Sequence, residues 1–292
     1  MKWFTEFKST LKSVEVEEIF DLVIYRPLAF LFVKLVFRTN ITPNQITLAS
    51  MVFGIFAGIA TAFNSSIAFL IAAIMILLYD VLDCSDGQLA RLKHNGTHLG
   101  RILDGFADYI VSITVYVGIG IGFASNSDSP AFWWVMTAFT GASNAIQSGL
   151  LDYYRTKFLD YKLKRLSVLE DELQQFKDEY EKLKSVEGRI IEKFIINVYL
   201  KYCQIQNNII STAKSKTLAK KFDRDDYIKR NRTLIHFWTY LGPTTQWTFF
   251  ILACFINRID IYLLGITIIG NLLAVILFTL QSFVDKNTVT EK

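Results

Sequence analysis

The sequence is poor in cysteine and histidine, and this scarcity narrows the chemistry that the protein can use. Its three cysteines are widely spaced and form neither a disulfide framework nor a zinc-binding pattern. His94 and His98 are four residues apart, but they flank a predicted Asn-Gly loop and lack a third ligand, so we expect no zinc site. Internal repeats and low-complexity tracts are absent from the sequence. We also expect no cleavable signal peptide, because Met1 to Glu18 is charged and contains no apolar core.

What the chain does have is long apolar stretches, which predict a polytopic membrane protein. Hydrophobic residues make up 52% of the 292 residues, and the mean hydropathy is +0.31, high for a soluble domain. Six stretches approach the roughly 20 apolar residues that cross a bilayer. They cover approximately residues 43–62, 67–83, 104–124, 131–151, 234–256 and 259–283. Thr42-Pro43 provides an N-cap and a first-turn proline for the first stretch. We therefore expect an all-α fold with six transmembrane helices.

Positive charge is unevenly distributed among the connections between these stretches. The loops at residues 64–66 and 125–130 contain no lysine or arginine, and the last loop on that side carries only Arg258. Nearly all basic residues lie in the N-terminal segment and in the connections on the other side. The positive-inside rule therefore predicts that both termini and the region from Asp83 to Asp108 are cytoplasmic.

The predicted helices divide the chain into four regions. These are an N-terminal interfacial segment (1–42), helices one to four (43–155), a cytoplasmic helical insertion (156–232), and helices five and six with the C-terminal tail (233–292). In the N-terminal segment, apolar residues alternate with Arg26, Lys34 and Arg38, which favours an amphipathic helix on an anionic leaflet. A soluble capping helix is the alternative.

The insertion has its own amphipathic pattern. From Leu166 to Leu183, large apolar residues recur three and four positions apart, as in an amphipathic helix or a short coiled-coil seam. A second apolar stretch near residues 190–210 contains Glu192 and Lys193, which argue against a seventh span. This pattern favours a helical hairpin that packs on itself or on a dimer mate, and a regulatory or partner-binding role is the alternative.

The most informative segment of the chain lies between residues 83 and 108. It reads Asp83-Cys-Ser-Asp86-Gly87-Gln-Leu-Ala90-Arg91, eight further residues, and Gly100-Arg-Ile-Leu-Asp104-Gly-Phe-Ala-Asp108. Ionisable groups at membrane depth are costly, so four clustered carboxylates require a counterion. A divalent metal ion is the simplest counterion for such a cluster.

Helical spacing places these carboxylates together. Positions i, i+3, i+4 and i+7 of the second predicted helix share one face and are occupied by Asp83, Asp86, Gly87 and Ala90. Asp104 and Asp108 are i, i+4 on the third helix. Each carboxylate set lies roughly 24 Å from the far membrane face at about 1.5 Å per residue, so the two sets reach one level. Hard oxygen ligands select Mg²⁺, Mn²⁺ or Ca²⁺ over zinc, and four carboxylates carry enough charge for two ions.

This pattern resembles the signature of the CDP-alcohol phosphotransferase family, D-x2-D-G-x2-A-R-x8-G-x3-D-x3-D, and matches every fixed position. Members of that family transfer a phosphoalcohol unit from a CDP-alcohol to an acceptor hydroxyl and release CMP. The resemblance covers residues 40–155 well and does not include the insertion. It implies phospholipid biosynthesis with CDP-diacylglycerol as donor, a homodimer and no nucleic-acid partner. The variant Leu103-Asp104-Gly-Phe-Ala-Asp108 is closer to inositol-type members than to glycerophosphate-type ones.

The resemblance also implies roles for individual residues. Four aspartates would bind two Mg²⁺ ions, with Mn²⁺ as an alternative: Asp83, Asp86, Asp104 and Asp108. Asp108 would in addition be the general base that deprotonates the acceptor. The residues implied at the nucleotide are Gly87, Ala90, Arg91, Thr97, Gly100, Asn44 and Thr47. Ordinary helix packing also explains the small residues, and a helix cap also explains Asn44 and Thr47.

Three further positions have simpler interpretations beside the functional ones. Arg155 and Arg232, at the cytoplasmic ends of spans four and five, are candidates for binding an acceptor phosphate. Anchoring under the positive-inside rule also explains both and is the favoured interpretation. Asp80 lies one turn before Asp83 outside the signature, and a hydrogen-bonding role is expected there rather than a fifth metal ligand.

Two other functions compete with the transferase. A divalent-cation transporter or channel could use the same aspartates for permeation. Such a protein usually has inverted repeats and carboxylates near the midplane, whereas these aspartates lie at one edge beside Gly, Ala and Arg. A catalytically silent scaffold built around the insertion would not need all four aspartates.

Overall fold

The structure, a computed structural model, describes residues 2–11, 13–163 and 222–290, and these are almost entirely helical. The helices are α1 (Lys2–Ser9), α2 (Arg26–Val36), α3 (Pro43–Thr61), α4 (Ser66–Lys93), α5 (His98–Ser125), α6 (Pro130–Leu163), α7 (Arg224–Trp238), α8 (Pro243–Phe255), α9 (Ile259–Leu264) and α10 (Asn271–Asn287). A π-helical turn (Asp21–Tyr25) precedes α2, a 3₁₀ turn (Thr239–Leu241) precedes α8, and a π-helical turn (Gly265–Gly270) joins α9 to α10. The all-α prediction is thereby confirmed.

Side-chain caps define where the central helices begin. Thr42 and Gln45 form a capping box at the start of α3, with the Gln45 amide 3.3 Å from Thr42 Oγ1 and the Thr42 amide 3.0 Å from Gln45 Oε1. Ser65 caps α4 by accepting a hydrogen bond from the amide of Ala68, and Thr97 caps α5 by accepting one from the amide of Gly100. α4 ends at Lys93, and its C-cap residue His94 has a left-handed φ of 51°. These polar caps confine the turns to short segments, so α3, α4 and α5 pack as long antiparallel neighbours.

Glycines let α3 and α5 approach each other closely. Gly54 and Gly58 are four residues apart on α3, the small-residue spacing common in membrane helix pairs. A Cβ at Gly58 would lie 2.6 Å from the backbone carbonyl carbon of Thr114, and one at Gly118 would overlap the carbonyl oxygen of Gly58. The two backbones are therefore in direct contact, which fixes the position of α5 relative to the rest of the core.

The N-terminal segment forms two helices rather than one. Between them, residues 10–11 and 13–18 are not helical, and α2 packs against α4. Ala29, Phe30 and Val33 are fully buried on that side, whereas the apolar side chains on the other face, including Leu31 and Leu35, are exposed. An amphipathic helix is therefore present at α2, and its position on a leaflet stays a prediction.

Four helical runs within the described residues are long and apolar enough to cross a membrane. They are Pro43–Thr61, Ser66–Lys93, Gly100–Ser125 and Ile259–Asn287. α6 has 34 residues, but buried polar side chains such as Asn144 and Gln147 lower its hydropathy. The predicted fifth span near residues 234–256 is divided at Gly242-Pro243, because proline lacks the amide that a continuous helix needs. The described residues thus support a multi-pass helical protein with four apolar runs. The count of six spans stays a prediction.

The predicted insertion begins as a continuation of a core helix. α6 crosses the predicted boundary at residue 155 and extends to Leu163, and α7 starts before residue 232. Arg224 donates from Nε to the carbonyl of Tyr161 at 3.0 Å and from Nη2 to that of Lys162 at 3.1 Å, so it caps the end of α6. The predicted stripe from Leu166 to Leu183 and the apolar stretch near 190–210 lie outside the described residues.

Candidate functional site

Carboxylates from α4 and α5 converge at one end of the helix pair. Asp83 lies on α4, and Asp104 and Asp108 lie one turn apart on α5. Each of the three offers an oxygen, and these oxygens all lie within 4.8 Å of one another. Three negative charges at this separation repel strongly in partly buried surroundings, so the arrangement favours binding of a cation.

The surroundings of Asp83 fit a hard divalent ion. Its Oδ1 is buried and has no hydrogen-bond partner within the described part of the chain, which is unusual for a buried carboxylate oxygen. All donors in the group are carboxylate oxygens, the ligand type that Mg²⁺ and Mn²⁺ prefer. The residues present therefore fit the metal site that the sequence predicts.

Asp86, the fourth predicted ligand, is held in a different way. Its Oδ2 accepts a hydrogen bond from the hydroxyl of Thr47 on α3, and the carboxylate is buried. Asp86 does not belong to the three-carboxylate group, although it faces Asp104 closely enough for their charges to interact. The structure thus brings Thr47 into the site as a partner of Asp86, and direct contact of Thr47 with a nucleotide stays a prediction.

Arg91 and Gly87 lie side by side on α4. A Cβ at Gly87 would be 3.3 Å from Nη2 of Arg91, so the guanidinium extends along the surface that the glycine leaves open. Arg91 Nε donates to the backbone carbonyl of Thr10, just after α1. This contact occupies one of the five donors of Arg91 and orients the guanidinium. Ala90, half-buried on the same helix, adds no bulk beside them.

A second group of predicted residues meets at the start of α5. A Cβ at Gly100 would lie 2.8 Å from Oδ1 of Asn44 and 3.1 Å from Oγ1 of Thr97. Asn44 belongs to the first turn of α3, and Thr97 is the N-cap of α5. Helix N-termini attract anions through their free amides and their dipole. The structure brings these three residues together, and their contact with the nucleotide stays a prediction.

One residue at the site carries no sequence signal. Tyr79, on α4 one turn before Asp83, donates its hydroxyl to Oδ1 of Asp108 at 2.6 Å. It lies in an apolar stretch, where an aromatic residue is usually a packing residue. Asp80 is 5% exposed, and its Oδ2 has no hydrogen-bond partner among the residues that the structure describes. Asp80 does not belong to the three-carboxylate group, and its expected hydrogen-bonding role stays a prediction.

The two candidate arginines have different surroundings. Nη2 of Arg155 lies 3.6 Å from Oε1 of Glu18, and the buried Nε and Nη2 atoms have no hydrogen-bond partner among residues 2–11, 13–163 and 222–290. Arg232 is 65% exposed and pairs with Glu15 at 3.2 Å. Free donors on a buried guanidinium favour Arg155 over Arg232 as a binder of an anionic group.

Glu18 links Arg155 to the N-terminus of α8. Glu18 Oε2 accepts from the amide of Thr245 at 2.7 Å and from its hydroxyl at 2.8 Å. The N-cap residue of α8 is Gly242, which has no side chain, so Glu18 supplies the missing cap from a distant part of the chain. Asp80 is within electrostatic range of both Glu18 and Asp108, which joins this region to the carboxylate group.

Comparison with known proteins agrees with this geometry. Residues 40–155 match the model of the CDP-alcohol phosphatidyltransferase family. The chain is 27% identical over 139 residues to the phosphatidylinositol phosphate synthase of Corynebacterium glutamicum, covering 48% of this chain and 55% of that protein. It is 28% identical over 121 residues to the inner membrane protein YnbA of Escherichia coli, covering 40% of this chain and 60% of that protein.

The matches thus span little more than half of each relative. They coincide with the part of the chain that carries the convergent aspartates on α4 and α5. Residues 40–155 of this chain are therefore similar to a CDP-alcohol phosphatidyltransferase domain.

Proposed function

We propose that this protein is a membrane CDP-alcohol phosphotransferase that moves a phosphatidyl group from CDP-diacylglycerol to an acceptor hydroxyl and releases CMP. The observation that carries the proposal is the convergence of Asp83, Asp104 and Asp108 within 4.8 Å inside the matched domain. Three apolar helical runs within that domain and a fourth beyond it support a lipid substrate and a place in phospholipid biosynthesis.

The residues have distinct tasks in this reaction. Asp83, Asp86, Asp104 and Asp108 would hold one or two Mg²⁺ ions, and Mn²⁺ would also suit their oxygens. When bound, the divalent ions supply positive charge that neutralises the diphosphate of the donor. The oxygen of the acceptor forms a bond to the lipid-bearing phosphorus while the bond to CMP breaks. The acceptor proton passes to the carboxylate of Asp108.

The donor binds along α4 and the start of α5 in this proposal. Gly87 and Ala90 leave space for the diphosphate, and Arg91 binds one of its oxygens with its remaining guanidinium donors. Asn44, Thr97 and Gly100 border the nucleotide at the N-terminus of α5. Thr47 acts through Asp86, whose carboxylate it holds in place.

We further propose an inositol-type acceptor that carries a phosphate. The name of the Corynebacterium relative and the free donors of Arg155 support this choice. A phosphorylated acceptor needs a cationic partner that is partly withdrawn from water. Arg155 meets this requirement, because only 19% of its side chain is exposed. Arg232 is more exposed and serves as a comparison.

The test uses purified protein in lipid nanodiscs with CDP-diacylglycerol and Mg²⁺. Acceptors are inositol, inositol 1-phosphate, glycerol 3-phosphate and serine, and the readout is CMP release. We expect release with inositol 1-phosphate, and Arg155→Gln should raise KM for this acceptor more than Arg232→Gln does. Release of CMP with none of the acceptors contradicts the proposed function. Release with unphosphorylated inositol alone, unaffected by Arg155→Gln, contradicts only the choice of acceptor.

We also propose that the site and both termini face the cytoplasm. The loops at residues 64–66 and 125–130 lie at the ends of α4 and α5 opposite to the aspartates and carry no basic residue. Single cysteines introduced at Ser66 and Lys93 of a cysteine-free variant would be labelled from opposite sides by a membrane-impermeant maleimide. Labelling of residue 93 from outside intact cells would contradict this orientation.

A further inference from the structure

We propose that Tyr79 is a positioning residue for Asp108, the base of the proposed reaction, and that α8 supports it. This inference rests on the proposed function. Tyr79 is 3% exposed, and its hydroxyl donates to Oδ1 of Asp108 at 2.6 Å across the α4–α5 interface. A hydrogen bond from a buried phenol to a carboxylate is short and strong because the acceptor is charged.

The hydrogen bond fixes the orientation of the carboxyl group of Asp108. With Oδ1 held by Tyr79, the rotation of this carboxyl group is restricted. Tyr79 lies one helical turn from Asp83, whose Oδ1 has no hydrogen-bond partner in the regions that the structure describes. The phenol thus binds Asp108 although another carboxylate shares its helix face. A tyrosine that only filled space would not need this partner.

The ring of Tyr79 is itself held by a helix outside the matched domain. Trp247 on α8 packs edge-on against it, with centroids 6.4 Å apart and an interplanar angle of 85°. Trp247 is 3% exposed and packs in turn on Phe250 at 5.8 Å. The position of Asp108 therefore depends on α8, which contributes none of the residues in the Asp83–Asp108 pattern. This gives residues beyond 155 a part in arranging the site.

The first test compares two buried tyrosines that each lose one hydroxyl. Tyr79→Phe keeps the ring against Trp247 and removes only the hydrogen bond to Asp108. Tyr116→Phe is the matched control, because Tyr116 shares a 2.8 Å hydrogen bond with Tyr262 away from the aspartates. We expect Tyr79→Phe to lower kcat for CMP release by about tenfold to a hundredfold, the usual effect of misplacing a catalytic group. KM for CDP-diacylglycerol should stay within about twofold of wild type, since binding of the donor does not require the base.

The second test asks whether Tyr79 acts through Asp108. In an Asp108→Asn background, Tyr79→Phe should cause less than about a twofold further loss, because the interaction has already been removed. If the loss of kcat in the double variant equals the product of the losses in the two single variants, Tyr79 supports the site only through general stability. That result would overturn the proposal. So would equal kcat values for Tyr79→Phe and Tyr116→Phe. A wild-type protein that releases no CMP from any CDP-alcohol contradicts the proposed function itself and removes the catalytic role of Tyr79 with it.

Discussion

The aspartates of α4 and α5 are unfavourable for the stability of the fold but are required for the proposed function. Each carboxylate is costly where it lies, because it is partly buried and close to others of the same charge. Such clusters persist where function requires them. Neutralising one aspartate should therefore affect folding and activity in opposite directions.

We expect Asp83→Asn, Asp86→Asn and Asp104→Asn each to abolish Mg²⁺-dependent CMP release without unfolding the protein. Each change removes a charged ligand oxygen and at the same time relieves repulsion within the cluster. Mg²⁺ should raise the melting temperature of the wild type, and this increase should be smaller in the variants. Asp128→Asn, in an exposed loop at the other end of α5, is the control and should behave as wild type. Full activity in any of the three variants would contradict the assignment of that residue.

Asp108→Asn should lower the rate of transfer without preventing binding of the donor. CDP-diacylglycerol should still bind, while transfer falls by about two to four orders of magnitude, the usual contribution of a positioned base. Equilibrium binding of radiolabelled donor and single-turnover CMP release separate the two steps. If donor binding falls as much as the rate, Asp108 is primarily a metal ligand.

At the scale of helices, the position of α5 depends on its direct contact with α3. Gly58→Ala would place a methyl group against the backbone of Thr114, so the helices must separate. We expect this change to lower the free energy of unfolding by about 1–3 kcal/mol, the usual cost of overpacking. Gly149→Ala on α6 is the matched control, because nothing lies within 4 Å of the added atom. Thermal unfolding in detergent would measure both, and equal stability of the two variants would contradict the close-contact interpretation.

The start of α8 should make stability depend on pH. Burial, followed by the charge of Asp21, raises the pKa of Glu18 from its ordinary value of 4.5 to about 7. Folding therefore favours protonated Glu18, and its contribution to stability is complete below about pH 4.5 and lost as pH rises through 7. We expect the fall in melting temperature over this range to be smaller in Glu18→Gln, which keeps an acceptor for the Thr245 amide.

The Glu18→Ala variant separates the contribution of the helix cap to stability from the contribution of the charge. This variant loses the acceptor as well, so it should melt at a lower temperature than Glu18→Gln at every pH. Identical pH profiles for wild type and Glu18→Gln would contradict the raised pKa, and equal melting temperatures for the Gln and Ala variants would contradict the capping role.

At the scale of the whole molecule, the segment between α6 and α7 is the part that the proposed chemistry does not use. Arg224 binds the end of α6, so the two ends of this segment are adjacent. Replacing residues 164–221 with a flexible linker of about 10–15 residues should leave CMP release measurable, because such a linker readily joins adjacent ends. These limits keep the contacts of Arg224 with the end of α6.

Size-exclusion chromatography of the same variant would report on the dimer. Dimer content should fall if the predicted stripe from Leu166 to Leu183 packs on a second copy. A correctly inserted, monodisperse variant without any transferase activity would show that this segment completes the active site.

The sequence by itself determined the features that depend on local pattern. Hydropathy over about 20 residues indicated the helical membrane class, and the Thr42-Pro43 and Thr97 caps follow from side-chain chemistry within one turn. The spacing of Asp83, Asp104 and Asp108 predicted their convergence, because a helix repeats every 3.6 residues and antiparallel neighbours bring equal depths together.

Only the tertiary structure decided which distant residues complete the site. Tyr79 and Asp108 are 29 residues apart, Thr47 and Asp86 are 39 apart, and Thr10 and Arg91 are 81 apart. The cap that Glu18 provides for Thr245 spans 227 residues. Apolar periodicity shows that a helix has neighbours, but the choice of neighbour depends on how all helices pack. The break at Gly242-Pro243 follows from the proline itself, but the polar group that caps the new helix start comes from another part of the chain.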